Sequence, residues 1–201
     1  MKCIHTSHTI HHRKPIRTAV AVLAFAALPA GAVSVSAYAA PTTTTAVAAG
    51  CATGWGSLPE ASTQQGAGQL TNVRTGRHAC YDRIVFDVAG KPSWFRVEYV
   101  DNVYTVGEGR LVPLRGGAKL QIVLLVPAYD DDGQPTYDPP NYNELSNVSG
   151  YQTFRQAADA GSFEGETVIG LGVRARLPFR VFTLTGPGNT GRVVVDVAHT
   201  W

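Results

Sequence analysis

Arg83-Ile84-Val85-Phe86-Asp87-Val88-Ala89-Gly90 and Arg192-Val193-Val194-Val195-Asp196-Val197-Ala198-His199 follow one template, Arg–β-branched–Val–apolar–Asp–Val–Ala. In an extended chain successive side chains point to opposite faces. Arg83, Val85 and Asp87 then share one face, and Ile84, Phe86 and Val88 the other. The second copy repeats that parity, with Arg192 and Asp196 set against Val193, Val195 and Val197. Each copy buries an apolar row and shows an Arg and an Asp on its back. Two such strands suggest two pseudo-equivalent antiparallel sheets packed as a β-sandwich, with chance likeness between Val-rich strands as the competing reading.

Around these strands the texture from Cys51 onward is all-β. Short Val/Ile/Leu/aromatic runs, separated by Gly and Pro clusters, predict strands over 81–88, 94–104, 111–114, 120–126, 167–173, 179–184 and 192–198. The run 122–126 is continuously apolar, as a central strand covered on both faces would be. Arg115-Gly116-Gly117-Ala118 and Gly186-Pro187-Gly188-Asn189 supply the positive-φ positions that hairpin connections need. One helix is expected, over 151–158, where Tyr151, Phe154 and Ala158 recur at helical spacing.

The first part of the chain reads as a secretory signal peptide, residues 1–39. Lys2, Arg13, Lys14 and Arg17 precede an apolar run over 19–28 that is too short to anchor comfortably in a bilayer. Ala37-Tyr38-Ala39 then offers the Ala-x-Ala pattern, which places cleavage after Ala39. An uncleaved anchor is the competing reading; no stable membrane insertion is expected after cleavage. Residues 40–50, with threonine at 42–45, form a flexible spacer that cannot bury a core, and 51–201 form the domain.

Removing the leader reverses the electrostatics. It takes four of the 17 Lys+Arg and none of the 15 Asp+Glu, so 13 bases face 15 acids and the formal charge passes from +2 to −2. A nucleic-acid partner thereby loses its main support, which is a concentrated basic surface. Cys3 leaves with the leader, and Cys51 and Cys80 read as one disulfide in an oxidising compartment. The competing reading is a lipid-carrying Cys51, since Ala48-Ala49-Gly50-Cys51 weakly imitates a lipobox. It lies well beyond the end of the apolar run, where a lipobox should sit.

No constellation makes a convincing active site. Metal hydrolysis needs about three N/O ligands with an open position, and only His78 and His199 remain, with Asp82 or Asp196 as the nearest carboxylates. Glu164 and Glu166 form the one carboxylate pair with glycosidase potential. Tyr129-Asp130-Asp131-Asp132-Gly133 lacks the alternating acids and distal Glu of a calcium loop. Its tyrosines, with Trp55, could instead form a flat platform on which sugars stack. Arg174 and Arg176 alternate on a strand face, and Arg74 and Arg77 flank the Cys80 loop, placed to grip carboxylates or phosphates in bidentate fashion.

From Cys51 to Trp201 the chain resembles the AMIN-like domain proteins, secreted or lipid-anchored proteins of high-GC Gram-positive bacteria. The resemblance rests on Gly54-Trp55-Gly56-Ser57, Val73-Arg74-Thr75-Gly76-Arg77-His78, Cys80-Tyr81-Asp82-Arg83, Pro127-Ala128-Tyr129-Asp130, Gly161-Ser162-Phe163-Glu164-Gly165, Gly170-Leu171-Gly172-Val173-Arg174 and residues 192–201. It implies a β-sandwich related to the domain that accompanies cell-wall amidases and helps place them on peptidoglycan. It brings no catalytic residues, and this chain is longer than the parent domain, chiefly through 127–160.

The function expected is therefore a non-enzymatic extracytoplasmic module that binds a cell-envelope polymer, peptidoglycan, without cofactor or metal. The expected ligand-binding residues, all taken as surface residues, are Trp55, Arg74, Arg77, His78, Asp82, Tyr129, Glu164, Arg174 and Arg176. The alternatives are a secreted wall-active hydrolase using Glu164, and an envelope protein that binds or inhibits another protein.

Overall fold

Apolar alternation dominates the chain after Cys51, and the backbone answers with strands. The structure, a computed structural model, describes residues 50–201; the leader and all but the last residue of the spacer lie outside the described residues. Eleven strands follow in order: β1 Glu60–Ser62, β2 Gly68–Arg77, β3 Tyr81–Gly90, β4 Phe95–Val100, β5 Val103–Tyr104, β6 Leu111–Val112, β7 Ala118–Leu124, β8 Phe154–Phe163, β9 Glu166–Val173, β10 Phe179–Thr185 and β11 Thr190–Ala198. They form a five-stranded sheet, β1-β4-β7-β9-β8, a four-stranded sheet, β10-β11-β3-β2, and the small β5-β6 pair, all antiparallel. The two large sheets enclose one core. Ile84, Phe86, Val193, Val195 and Val197 enter it from one side, and Val97, Leu120, Ile122, Leu124, Ile169 and Leu171 from the other. The sandwich and the Cys51–Cys80 disulfide are thus as the sequence indicates.

The two copies of the Arg-Asp template, expected one in each sheet, are instead neighbours in the same sheet. β3 and β11 pair antiparallel with Arg83 opposite Asp196, Val85 opposite Val194 and Asp87 opposite Arg192. Antiparallel pairing of one motif with its own likeness places the Arg of each beside the Asp of the other. A local pseudo-twofold axis passes between Val85 and Val194.

The expected helix over 151–158 is a strand, β8, preceded by turns. Tyr151, Phe154 and Ala158 do have helical spacing, but two register irregularities in β8 disturb the period-two pattern that would have revealed it. β2 escaped the sequence reading for a related reason, a register shift between Leu70 and Asn72. The expected strand over 94–104 is broken into β4 and β5.

The long segment 127–153 runs between the open edges of the sandwich, β2 and β8. On the β2 side the Thr136 hydroxyl donates to the Leu70 carbonyl at 2.7 Å, and the Tyr151 hydroxyl donates to Thr75 Oγ1 at 2.9 Å. On the β8 side Leu145 N–H donates to Ala157 O at 2.8 Å, and Asp159 N–H to Tyr142 O at 2.7 Å. Residues 56–62 close the opposite seam: Gly56 bridges to Phe179, β1 pairs with β4, and Glu60 accepts the Val181 N–H at 2.9 Å. Both seams are sealed, so neither edge offers a free ladder for strand addition.

The outer face of the five-stranded sheet is covered as well over β7, β9 and β8. The β5-β6 hairpin lies on it and builds a second apolar cluster from Val103, Val112, Ala158, Ala160 and Val168, with Val123 packed against them. That cover explains the apolar run through Ile122, Val123 and Leu124, while Leu125, just past the end of β7, is exposed. Ile122 and Leu124 serve the main core while Val123 faces the hairpin. Gly172 permits the close approach: a Cβ there would lie 1.9 Å from the Arg115 carbonyl oxygen.

Candidate ligand-binding face

The outer face of the four-stranded sheet carries no such cover. Its side chains follow from strand parity, because the residues between the core-facing valines must point outward. Asp196, fully buried, is clamped by Arg83 through Nε (2.6 Å) and Nη2 (2.9 Å), and by Arg180 Nε at 2.9 Å. Around the pseudo-twofold axis Asp87 takes the same position. Arg74 Nε and Nη2 reach its two oxygens at 2.8 and 3.0 Å, and Arg192 Nε lies 3.3 Å away. Two Arg–Asp–Arg triplets thus flank the Val85–Val194 pair. The hydrogen bond from Arg74 holds the Asp87 carboxyl below its usual range.

Aromatic rings interleave with the guanidinium groups. Arg180 stands 4.4 Å from the Trp55 ring centroid and 5.1 Å from that of Phe182, and Arg83 lies 5.2 Å from Tyr81. His78 stacks on Tyr81 at 4.5 Å. Arg83 and Arg180 are each held by the Asp196 carboxylate on one side and a ring on another, a preorganised arrangement that orients their remaining N–H donors, whereas Arg74 and Arg192 are held by Asp87 alone. Arg74 keeps half its side-chain surface exposed, and Arg180 and Arg192 about two-fifths each. Four arginines against two aspartates leave this face cationic.

Of the nine expected binding residues, Trp55, Arg74 and His78 share this face. Arg77 lies at its end over Tyr151, with its guanidinium 5.9 Å from the ring. Asp82, expected at the surface, is fully buried. It accepts the Thr153 and Phe154 N–H groups at 2.6 and 3.1 Å and meets His199 Nε2 at 3.2 Å. There it ties the entrance of β8 and the end of β11 to β3, beside a cleft of about 370 Å³ lined by Arg77, His78, Gln152 and His199.

Arg174 and Arg176 do not alternate on a strand, because β9 ends at Val173. Arg174 donates to the His199 carbonyl. Arg176 donates to the Ser57 carbonyl at 2.7 Å and stands 4.8 Å from the Tyr99 ring. Both fasten the end of the sandwich.

Tyr129 and the turn that carries Glu164 lie at the opposite end of β9, where Gly165 N–H donates to the Tyr129 hydroxyl at 2.9 Å. Glu164 and Gly165 form a two-residue turn with φ of 50° and 86°, the type I′ geometry. Glu164 and Glu166 therefore straddle a turn rather than share an extended face. Eight residues of strand, about 26 Å, separate this tip from Arg174, so the nine residues do not make one site. Arg83, Arg180 and Arg192 complete the face and were not among those nine. The outward Arg of the repeated template was the signal for the first and last.

Fold and surface together define a disulfide-closed antiparallel β-sandwich whose flat sheet face, rather than a deep cleft, carries the ordered charged and aromatic chemistry. The chain belongs to the AMIN-like domain family, whose model matches residues 68–199, well over half its length. No curated protein and no solved structure matches it. AMIN-like domains generally belong to peptidoglycan-associated extracytoplasmic modules and are typically non-catalytic binding domains.

Proposed function

We propose that the domain binds a cell-envelope polymer, peptidoglycan, without turning it over, and that the outer face of β10-β11-β3-β2 is the contact surface. The observation that carries the reading is a cationic, aromatic-interleaved face on a domain whose acids outnumber its bases. Arginines held flat by their own aspartates present free N–H edges suited to stem-peptide carboxylates. The exposed parts of Trp55 and Tyr81 offer ring faces on which sugars stack. In this reading residues 1–39 direct export and are removed, 40–50 form a tether, and 51–201 act outside the cell as a soluble or wall-associated domain.

Co-sedimentation of the oxidised protein with purified sacculi tests the proposal. Saturable binding that weakens as salt rises is expected, because exposed charge pairs are screened. A folded protein that stays in the supernatant at low salt would remove peptidoglycan as the ligand.

A further inference from the structure

On the other side of the molecule a groove of about 790 Å³ opens between the β5-β6 hairpin, the 127–153 segment and the end of β8. Its walls mix polar groups with large apolar side chains. Leu111, Tyr142 and Phe163 line it, and each keeps about half its surface exposed. Tyr104 stands opposite Leu111 across the hairpin, and it too is half exposed. Exposed aromatic and aliphatic side chains gathered round one groove mark an interaction site more often than scattered ones do.

The charge in the groove is as specific as its walls. Glu108 and Arg110 pair with each other. Asp159 is half-buried and forms no ion pair among the described residues. One of its oxygens accepts the Gly161 N–H at 2.8 Å; the other has no donor among the described residues and is not sealed from solvent. Burial pushes the Asp159 carboxyl above its usual range, and the Asp159 charge adds to the burial that pushes the Tyr137 hydroxyl up to about 12. A half-buried carboxylate without a cation costs stability. A group whose folded pKa is raised contributes most at low pH and loses that contribution as pH rises through the folded value.

We propose that this groove binds a primary ammonium group on an aliphatic stem, a lysine-type side chain presented by a peptide. Asp159 supplies the counter-charge, Tyr142 and Phe163 supply ring faces to the cation, and Leu111, Val112 and Pro113 receive the methylenes. A cation supplies what the half-buried carboxylate lacks, and aromatic faces beside a carboxylate favour ammonium over a neutral group of equal size. The groove exceeds one side chain in volume, which is why the group is placed on a peptide. This assignment concerns a different face and does not rest on the cell-wall reading.

The test is an amide-shift NMR titration of the oxidised protein with Nα-acetyl-lysine N-methylamide and with its norleucine counterpart, which lacks the ammonium. Saturable shifts confined to Gly107, Asn143, Gly161 and their neighbours are expected for the lysine compound. The norleucine compound should bind at least about tenfold more weakly. Asp159→Asn keeps an acceptor for the Gly161 N–H and should abolish the preference while leaving the fold intact or raising its melting temperature. Phe163→Ser, at a half-exposed ring, should weaken binding without touching the carboxylate. Absence of saturable shifts, equal binding of the two compounds, or undiminished preference in Asp159→Asn would each overturn the assignment.

Discussion

The four-stranded sheet turns two Arg–Asp–Arg triplets and a set of aromatic rings outward, whereas the five-stranded sheet hides the outer face of β7, β9 and β8 beneath the β5-β6 hairpin. The covered face uses small residues, Ala158, Ala160, Gly170 and Gly172, so that a second layer can lie flat on it. The open face uses long side chains tied to one another, a layer that satisfies its own charges and still leaves donors facing solvent. Steric tolerance should therefore decide mutational cost on the first face, and charge compensation on the second. Two aspartates mark the contrast: Asp87 lies among arginines with its pKa lowered, while Asp159 lies without a cation with its pKa raised.

The largest effect is expected where the cover touches the sheet. Gly172→Ala would drive a methyl group into the Arg115 carbonyl, and overpacking against backbone should cost about 3 kcal/mol. Chemical denaturation would register it, and an unchanged midpoint would mean that the hairpin cover is loose. On the open face Asp196→Ala leaves Arg83, three-quarters buried, without its partner. A loss of about 3 kcal/mol, at the low end of the range for broken buried pairs, is expected because Arg180 is more exposed.

At the β8–β9 tip Glu164 is the one non-glycine residue with positive φ among the described residues. Glu164→Asn should raise stability by about 1 kcal/mol, since asparagine tolerates that conformation. The smallest change in stability should come from Arg74→Gln, below about 1 kcal/mol at neutral pH because the pair is half exposed. Its signature is pH dependence. The depressed carboxyl of Asp87 contributes stability above the ordinary carboxylate range, and that contribution is lost as pH falls through the folded value. Arg74→Gln should flatten this acid limb. Asp159→Asn should instead remove a term of opposite sign, one that favours the fold as pH falls.

How far these features could be read beforehand depends on whether they are local. Parity in the repeated template is local, so the outward Arg83 and Asp87 and the buried Ile84, Phe86 and Val88 were legible from the sequence. Which strand faces which is not local. The two copies suggested one strand per sheet, and only the register shows them paired with each other. β8 was hidden because Ala157 serves the main core while Ala158 and Ala160 serve the hairpin cluster, which erases the polar alternation of a half-exposed strand. Asp82 looked like a surface acid because its partners, the Thr153 and Phe154 N–H groups and His199, come from about 70 or more residues further along the chain. The Asp159 groove was likewise unforeseen, since it joins a hairpin, a long connecting segment and a strand end.

The measurement that tests the account most directly is sacculus co-sedimentation of Arg74→Gln/Arg192→Gln beside Arg96→Gln/Lys119→Gln, which removes the same charge from the five-stranded sheet. If the open face is the contact surface, the first variant should lose at least about tenfold in affinity and the second should bind as the parent does. Equal losses in both, or none in either, would contradict the claim that this face carries the binding.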